Sequence, residues 1–548
     1  MRKLNTFIII LGVILILSFI GTRINNHLSY PIGDKEESKN LEKFSEIVEY
    51  VSTFYVDDVQ WNNAMQGAIE GLLSELDPHS VYISSQDAQL NEENFEGKYE
   101  GIGIQFDVID GYLTVISPIS GSPSDKLGLL PGDKIISIDG ESSIGISTSD
   151  VPKKLKGPKG TSVDITVMRE GADGPLEFTI VRDDIPIFTV NTSFITEDGT
   201  GYISLGRFAK ITEDEMKDAL QELENAGMER LILDLRWNAG GYLDQAVKLS
   251  SMFINGHKKI VYTEGRLREF DEEFYTDTFN HHRVYDLPLI VLINNASASA
   301  SEIVAGAVQD YDRGLIVGTT SFGKGLVQRE FPLNDDSRLR LTISKYYTPS
   351  GRLIQRPYKG KEIEQYYNLQ IDSSITETVE DTLTERPVYY TASGRKVYGG
   401  GGISPDVVLD YISGDKKPTL TQKFFQKRMF FEIASKYAIG NGSLKDSFPS
   451  YLKYFEVNRS LLLELMDLAR QKKIEFKSVD FWQNIDYFKS RIKAEIARSI
   501  WGTEKYYQVL LLYDNQYNQA LGLFGQAEDL LNPSKSHKLV KNRDLGAN

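Results

Sequence analysis

The sequence LIVLINNASASASEI, residues 289–303, decides how the central part of the chain folds. Its first five residues form an apolar run, which predicts a buried strand. The small residues after the run, followed by Glu302, predict a sharp turn into a helix. Such a turn leaves a hydroxyl at the helix N-terminus, where unpaired N–H groups and the helix dipole favour negative charge. This position suits a serine that attacks a carbonyl and the oxyanion that results.

The three serines of this stretch are also compatible with a simpler role as helix caps. The segment that follows favours a catalytic role for a serine over a role as a helix cap. A helix over residues 299–310 would run roughly 18 Å away from the strand, and the extended residues 315–320 return over about the same distance. This crossover brings residues 321–325, SFGKG, back to the edge where the serines begin. Lys324 then arrives beside a serine as a candidate general base.

The composition of the chain excludes several classes of function. Its 548 residues are enough for several domains, and its net charge of -16, with no basic stripe, argues against nucleic-acid binding. The absence of cysteine excludes disulfides, thiolate metal sites and a cysteine nucleophile. Of the six histidines only His281 and His282 are close together, and they are more typical of a loop than of a metal site. We therefore predict no metal and no cofactor.

The N-terminus has the form of a secretory signal. Arg2 and Lys3 precede a mostly apolar run over residues 7–20. No clear small-x-small cleavage site follows, which favours an uncleaved signal anchor over a cleaved signal peptide. We therefore expect the bulk of the protein to lie in the cell envelope, outside the cytoplasmic membrane. The helical pattern downstream ends at residues 77–80, where His79 is better interpreted as part of a turn than as a catalytic base.

Residues 97–184 consist of short strands separated by glycines, and their pattern resembles a PDZ domain. Such a domain would hold the terminal carboxylate of a peptide with the backbone N–H groups of Gly101, Ile102, Gly103 and Ile104. The peptide itself would add to the sheet as an edge strand. A glycine-rich β module without this function is the alternative.

A second strand-to-helix turn lies further along the chain. The apolar residues 231–235 predict a buried strand, and residues 236–241, RWNAGG, follow it before another helix. Gly240 and Gly241 allow the backbone to approach a substrate closely and to present N–H groups. An ordinary tight turn would use the same two glycines.

In their order along the chain, these motifs resemble those of the C-terminal processing peptidases, also called tail-specific proteases. The resemblance extends roughly from residue 50 to residue 410. Besides the PDZ-like stretch it rests on LDPHS (76–80), LDLRWNAGG (233–241), SASASEI (297–303), FGKGLVQ (322–328) and KYYTPSGR (345–352).

The resemblance implies a role for each residue of the site. It implies that Ser299 is the nucleophile, that Lys324 is the general base and that Gln328 orients the lysine amine. The oxyanion hole would be formed by the backbone N–H groups of Ala300, Gly240 and Gly241. Asp310 matches an acidic position that some members of the family need, although a helix-end ion pair with Arg313 is an equally good explanation.

The chemistry of the residues agrees with these roles. A lysine accepts a proton only when it is neutral, and burial near Phe322 would lower the pKa of Lys324. Ser–Lys pairs are an established variant of the catalytic triad. No histidine lies near Ser299 or Lys324 in the sequence. Gln328, four residues after the lysine, has an amide oxygen that could aim the amine.

Two regions depart from the family pattern. The polar residues 359–386 are interpreted as a surface excursion before the glycine-rich segment 394–406. Residues 413–548 are rich in apolar and aromatic residues with helical spacing. They predict a helical domain with a loose tail, for which shielding, dimerisation and substrate delivery are all open roles. An activating partner or a homo-oligomer is equally open.

The sequence therefore predicts a multidomain α/β protein. Its expected parts are a signal segment (1–25), an N-terminal helical region (26–96), a PDZ-like domain (97–184), an α/β serine peptidase core with a crotonase- or Clp-protease-like sheet (185–412) and a helical domain (413–548). The expected function is an envelope-anchored serine endopeptidase that cuts exported proteins near free, apolar C-termini. A non-catalytic PDZ scaffold on a peptidase fold is the alternative.

Overall fold

The computed structural model describes residues 35–279, 283–360, 366–367, 386–409 and 420–531. The chain divides into two compact units, residues 1–75 and 76–548. In the first unit, the described helices are α1 (Lys35–Phe54) and α2 (Trp61–Ser74). The predicted signal segment and the two adjacent histidines lie outside the described residues. Within the described ranges, no helix is long and apolar enough to cross a membrane.

The second unit begins with strand β1 (Val81–Ile83) and helix α3 (Ser85–Glu96). Helix α3 begins where the Ser84 side chain accepts the Asp87 N–H, and it ends at Gly97, whose φ of 78° suits glycine.

The β-rich domain that follows is built around one antiparallel sheet. The strand order is β3-β4-β5-β7-β8, with β6 beside β5, so β3 is an edge strand. Strands β2 and β9 pair where the chain enters and leaves the domain. The elements are β2 (Lys98–Gly101), β3 (Ile104–Ile109), β4 (Tyr112–Pro118), α4 (Pro123–Lys126), β5 (Lys134–Ile138), β6 (Glu141–Ser142), α5 (Val151–Leu155), β7 (Ser162–Met168), β8 (Leu176–Val181) and β9 (Asp183–Pro186).

The catalytic region predicted from the sequence contains two larger sheets. Its elements are β10 (Val190–Ile195), β11 (Thr200–Leu205), α6 (Thr212–Asn225), β12 (Arg230–Asp234), α7 (Leu243–Ser251), β13 (Lys259–Gly265), a 3₁₀ turn (Arg268–Phe270), β14 (Glu273–Tyr275), β15 (Leu289–Ile293), α8 (Ala300–Asp310), β16 (Leu315–Gly318), β17 (Leu326–Pro332), β18 (Arg338–Tyr347), β19 (Val388–Tyr390), β20 (Lys396–Tyr398) and β21 (Val407–Val408).

The first of these sheets has the order β10-β11-β12-β15-β16-β21, and all neighbours except β10 and β11 are parallel. The carboxyl ends of parallel strands meet at one edge of the sheet. The turns after β12, β15 and β16 therefore converge. The predicted crossover is present, because the Phe322 N–H, after β16, donates to the Ser297 carbonyl, after β15, at 2.9 Å.

The second sheet has the order β1-β18-β13-β14, with β17 also paired to β18. A β-bulge interrupts the β17–β18 ladder between Val327 and Gln328. Bulges re-aim side chains and are common beside active sites. Strand β17, which carries this bulge, begins two residues after Lys324.

The C-terminal region is helical. Its elements are α9 (Leu420–Gln426), α10 (Met429–Gly440), a 3₁₀ turn (Gly442–Asp446), α11 (Phe448–Tyr454), α12 (Arg459–Gln471), α13 (Ser478–Gln483), α14 (Ile485–Trp501), α15 (Thr503–Leu511), α16 (Asn515–Leu521) and α17 (Phe524–Leu531). Together with the two sheets and the β-rich domain, these helices confirm the predicted multidomain α/β architecture.

The helical region contacts two other parts of the second unit. Phe524 and other residues of α15 to α17 pack on one face of the six-stranded sheet, against Ile290 and Leu292. At another place Phe431, only 2% exposed, packs against Ile109 and Ile116 of the β-rich domain. Burying such a phenylalanine contributes roughly 1.5–3 kcal/mol. Apolar packing thus links the helical region to both the β-rich domain and the peptidase core.

Candidate active site

Ser299 lies at the N-terminus of helix α8, in a strained backbone conformation. Its φ of 56° and ψ of −114° are unusual for a residue other than glycine, and such strain is typical of functional sites. The Ser299 side chain is half-buried, and the Ser299 N–H donates to the Glu302 carboxylate at 2.8 Å as part of a capping box. Its carbonyl accepts the Tyr346 hydroxyl at 3.1 Å, which fixes the turn.

The two neighbouring serines are held by the backbone. The Ser297 hydroxyl donates to the Leu235 carbonyl at 2.8 Å, and the Ser301 hydroxyl donates to the Asn238 carbonyl at 2.9 Å. Both side chains are 0% exposed. These two hydroxyls therefore fasten the turn after β15 to the turn after β12, and Ser299 is the serine left for chemistry.

The glycine turn lies directly against Ser299. A Cβ atom placed on Gly240 would be 2.9 Å from the Ser299 Cβ and 2.7 Å from the Ala298 carbonyl oxygen. A Cβ atom on Gly241 would be 1.9 Å from the Phe208 carbonyl oxygen. Both glycines are therefore required by close approach of the backbone, beyond what a tight turn alone would need.

The structure changes the expected role of Gly240. Its N–H donates to Asn238 Oδ1 at 2.9 Å, so it is not available to an oxyanion. Within the described part of the chain, the N–H groups of Gly241 and Ala300 donate to no acceptor. Two donors of the predicted oxyanion hole thus remain, and Gly240 provides the space beside the serine.

Glu302 has no predicted role in catalysis, yet it connects the two halves of the site. Its carboxylate accepts the N–H groups of Ser299 and Lys324, both at 2.8 Å and both on Oε2. It also accepts the Gly323 N–H at 2.6 Å and the Ser321 hydroxyl at 2.5 Å. Burial raises the pKa of this carboxyl, and the four hydrogen bonds oppose that rise.

The Lys324 amine lies in an environment that favours its neutral form. Burial, and then the like charge of Arg340, lower its pKa to about 8, against the opposing pull of Glu302 and Asp77. A lysine with this pKa is partly neutral at neutral pH, as a general base must be.

Gln328 is not hydrogen-bonded to Lys324 in this structure. Its Nε2 atom is buried and has no hydrogen-bond partner. A buried amide donor without a partner costs about 1–3 kcal/mol. The predicted orienting role of Gln328 therefore remains a prediction.

Asp310 does not form the ion pair with Arg313 that the sequence left open. Its partner is Arg352, at 2.7 Å, and the two side chains are 1% and 0% exposed. Arg313 instead donates to the carbonyls of Phe253, Tyr285 and Leu287. The buried pair joins the end of helix α8 to the segment after β18, because Asp310 also accepts the Ser350 N–H.

The turn at residues 77–80 contacts strand β18 and Tyr366. The Asp77 carboxylate accepts the N–H groups of His79 and Ser80, as a turn predicts, and also the Thr342 hydroxyl on β18. The ring of His79 contacts Tyr366, which is 1% exposed. Tyr366 belongs to the segment predicted to be a surface excursion, and for this residue the prediction is wrong.

The predicted peptide-binding segment forms part of the β-rich domain. Ile102 and Ile104 are buried in its core. The carbonyls of Ile102 and Gly103 accept the hydroxyls of Ser124 and Ser122. Among the described residues no acceptor takes the N–H groups of Ile102 and Gly103, which leaves two donors beside edge strand β3.

A cavity of about 390 Å³ flanks the site. It lies between Leu243, two residues after the glycine turn, and Val327, three residues after Lys324. Its remaining lining residues are Thr263, Glu269, Phe270, Glu272, Phe274, Arg329, Ile343 and Ser344. Over the residues that the structure describes, no group of acidic or histidine side chains is arranged to hold a metal ion.

Comparisons with known proteins identify the parts of the chain. Residues 199–368 match peptidase family S41, and residues 114–169 match the PDZ domain. Residues 24–87 match the N-terminal domain of the activating protease CtpB, and residues 420–502 match a family of unknown function. The S41 match contains both Ser299 and Lys324.

The chain belongs to peptidase family S41 and is a carboxy-terminal processing serine protease with a PDZ domain. It is 38% identical to the carboxy-terminal processing protease CtpB of Bacillus subtilis over 333 aligned residues. The aligned region covers 60% of this chain and 68% of CtpB. It is 32% identical over 436 residues to CtpA of the same organism, covering 77% and 91%. A carboxy-terminal-processing protease of Bartonella bacilliformis is 38% identical over 327 residues, covering 59% and 74%. Membership of this class of enzymes argues against the alternative of a non-catalytic PDZ scaffold on a peptidase fold.

The charges around Lys324 predict two opposite shifts in pH dependence. Because only the neutral amine accepts a proton, activity should rise as the pH passes about 8. Arg340→Gln removes a like charge, so the pKa of Lys324 and the midpoint of the profile should move to higher pH. Asp77→Asn removes an opposite charge and should move the midpoint to lower pH. The measurement is kcat/KM on one peptide between pH 6 and 10, and shifts of the same sign in both variants would contradict this assignment.

Proposed function

We propose that the protein cleaves exported proteins near their C-termini with a Ser299–Lys324 dyad and selects them through its PDZ domain. The observation that carries the proposal is that a strained Ser299 and a buried Lys324, whose pKa is lowered to about 8, lie on two turns that one carboxylate joins.

In the first half of the reaction, the neutral Lys324 amine takes the proton of the Ser299 hydroxyl while Oγ attacks the carbonyl carbon of the scissile peptide. The resulting oxyanion accepts hydrogen bonds from the N–H groups of Ala300 and Gly241, at the positive end of helix α8. Lys324 then gives its proton to the leaving nitrogen, the C–N bond breaks and the substrate's acyl group remains on Ser299 as an ester.

In the second half, a water molecule replaces the leaving amine. Lys324 takes one proton from the water as its oxygen attacks the ester, and it returns this proton to Ser299 Oγ when the ester bond breaks. The products are a new carboxyl terminus and the free enzyme. Every proton is moved by Lys324, so the cycle needs no cofactor.

Substrate selection would use the PDZ domain and the cavity. The free N–H groups of Ile102 and Gly103 beside edge strand β3 suit a terminal carboxylate, with the peptide added as a further strand. The cavity between Leu243 and Val327, which also has charged walls at Glu269, Glu272 and Arg329, suits a substrate residue near the cleaved bond.

We also propose that residues 7–20 anchor the protein in the cytoplasmic membrane, with the peptidase outside. The proposal rests on the basic and apolar pattern of the N-terminus. Membrane fractionation and N-terminal sequencing of the mature protein test it, and a mature chain that begins between residues 22 and 38 would show a cleaved signal instead.

Variants of the dyad test the chemistry. Ser299→Ala and Lys324→Ala should each lower kcat by about three orders of magnitude or more. Lys324→Arg should not restore activity, because arginine stays charged. Gln328→Ala should have a smaller effect. Lys217→Ala is the control, because this exposed lysine on α6 pairs with Glu213 on the same helix. Turnover of a loosely folded protein in the presence of a chelator is the assay, and an active Lys324→Arg enzyme would remove lysine from the mechanism.

A peptide with a free carboxyl end should be cleaved faster than the same peptide with an amide end, by roughly tenfold or more. The amide lacks the charge and brings donors of its own to face the N–H groups of the loop. Gly103→Ala should abolish the preference, because a Cβ there would meet the Ser122 Cβ at 2.2 Å.

The matched control for this comparison is Gly111→Ala. Gly111 also has a positive φ, of 83°, but a Cβ there meets nothing within 4 Å. Backbone strain is thus common to both variants, and only Gly103→Ala disturbs the binding loop. Equal cleavage of the acid and the amide by the unmodified protein would show that the PDZ domain does not read the terminus.

A further inference from the structure

The hydrogen bonds around Lys324 continue into a buried set of side chains that we call the His79–Tyr366–Gln355 relay. Gln355 Oε1 accepts the Gly325 N–H at 2.8 Å, and Gln355 Nε2 donates to Tyr366 Oη at 3.2 Å. Tyr366 Oη lies 3.0 Å from His79 Nε2, and Tyr367 Oη lies 3.4 Å from His79 Nδ1. Tyr366 and His79 are 1% and 9% exposed. The relay therefore ends on the backbone of the residue that follows Lys324.

The direction of each hydrogen bond follows from the backbone group at the end of the relay. Because the Gly325 N–H only donates, the Gln355 atom that meets it is the oxygen, and the Gln355 amide nitrogen faces Tyr366. The Tyr366 oxygen accepts there and donates its own hydrogen to His79 Nε2. The imidazole must then be neutral, with its hydrogen on Nδ1. Burial, followed by the charge of Lys324, lowers the pKa of His79 to about 4, in agreement with this assignment.

The residue before Lys324 is fixed by a neighbouring group. The Arg356 N–H donates to the Gly323 carbonyl at 3.0 Å. The Arg356 guanidinium lies 3.8 Å from the centre of the Phe322 ring and 4.1 Å from that of the Tyr366 ring. The loop that carries Lys324 is thus held at Gly323 by Arg356 and at Gly325 by the relay.

We propose that His79 and Tyr366 are positioning residues for Lys324, and that their relay keeps the lysine amine in its buried position. The proposal rests on the proposed function, since it requires Lys324 to be the base. Neither side chain reacts; both act through Gln355 and the Gly325 N–H. Cutting the relay leaves the Gln355 amide held only by the Arg356 carbonyl, at 2.9 Å, so the loop at Gly325 loosens and water reaches the amine, which favours the protonated form.

The charged groups that act on Lys324 stay in place when the relay is cut. They are Arg340 on β18, Glu302 on α8 and Asp77 in the turn before β1. His79 itself faces Asp77 and Arg356 and remains uncharged. A shift of the pH profile in a relay variant therefore reports a change in the solvent access of the amine and leaves its charged neighbours unaltered.

The first test is Tyr366→Phe in the full chain. We expect kcat to fall by about tenfold with KM unchanged, because the base is displaced and the peptide contacts are not. The midpoint of the pH profile should move to higher pH. Tyr358→Phe is the matched control, since its ring lies 6.4 Å from that of Tyr366 outside the relay. It should leave both kcat and the midpoint as they are.

A pair of His79 variants gives a second, independent test. A glutamine at this position offers a carbonyl oxygen near the place of Nε2, so His79→Gln should keep the Tyr366 hydrogen bond and most of the activity. His79→Leu fills similar space without an acceptor and should behave as Tyr366→Phe does. Equal activity of the two His79 variants would overturn the proposal.

Four further outcomes are decisive. A Tyr366→Phe enzyme with unaltered kcat and pH midpoint overturns the proposal, and so does one that loses only thermal stability. If Ser299→Ala or Lys324→Ala remained active, the proposed function itself would fail. If both are inactive while the relay variants match the unmodified enzyme, only the relay proposal fails.

Discussion

The buried carboxylate of Glu302 is the interaction on which the site depends. One oxygen accepts the backbone N–H of Ser299 and of Lys324, and the other accepts Gly323 and Ser321. A carboxylate that is 0% exposed is stable only if hydrogen bonds replace the water it has lost. Four donors do so here. The cost of burying this charge therefore forces the helix N-terminus and the lysine loop into one arrangement.

The same surroundings set the protonation state of the lysine. Burial alone would lower the pKa of Lys324, and the carboxylates of Glu302 and Asp77 would raise it. The like charge of Arg340 adds to the effect of burial and leaves the pKa at about 8. The Glu302 oxygens accept hydrogen bonds from three backbone N–H groups and from the Ser321 hydroxyl. Glu302 therefore orients the loop without forming an ion pair with the amine. An ion pair would have kept the lysine charged.

The sequence predicts the position of a residue well where a local pattern of residues determines the local geometry. The apolar run at 289–293, the small residues after it and the length of the crossover were sufficient to bring Ser299 and Lys324 to the same edge. It was uninformative for contacts between distant segments. Nothing near Asp310 indicates that its partner is Arg352, and the polar composition of residues 359–386 hides the buried Tyr366. The sequence predicts the N–H of Gly240 as an oxyanion donor, because nothing in it indicates that Asn238 Oδ1 accepts this N–H in the folded turn.

The central claim is that Lys324 is a base because its environment lowers its pKa. NMR of the protein with isotopically labelled lysine measures this directly, with the Lys324 signal assigned by its absence in Lys324→Arg. The account predicts that the Lys324 side chain titrates near pH 8, well apart from the exposed lysines. Titration near the ordinary lysine value of 10.5 would contradict it, since the amine would then be charged at the pH at which the enzyme must accept a proton.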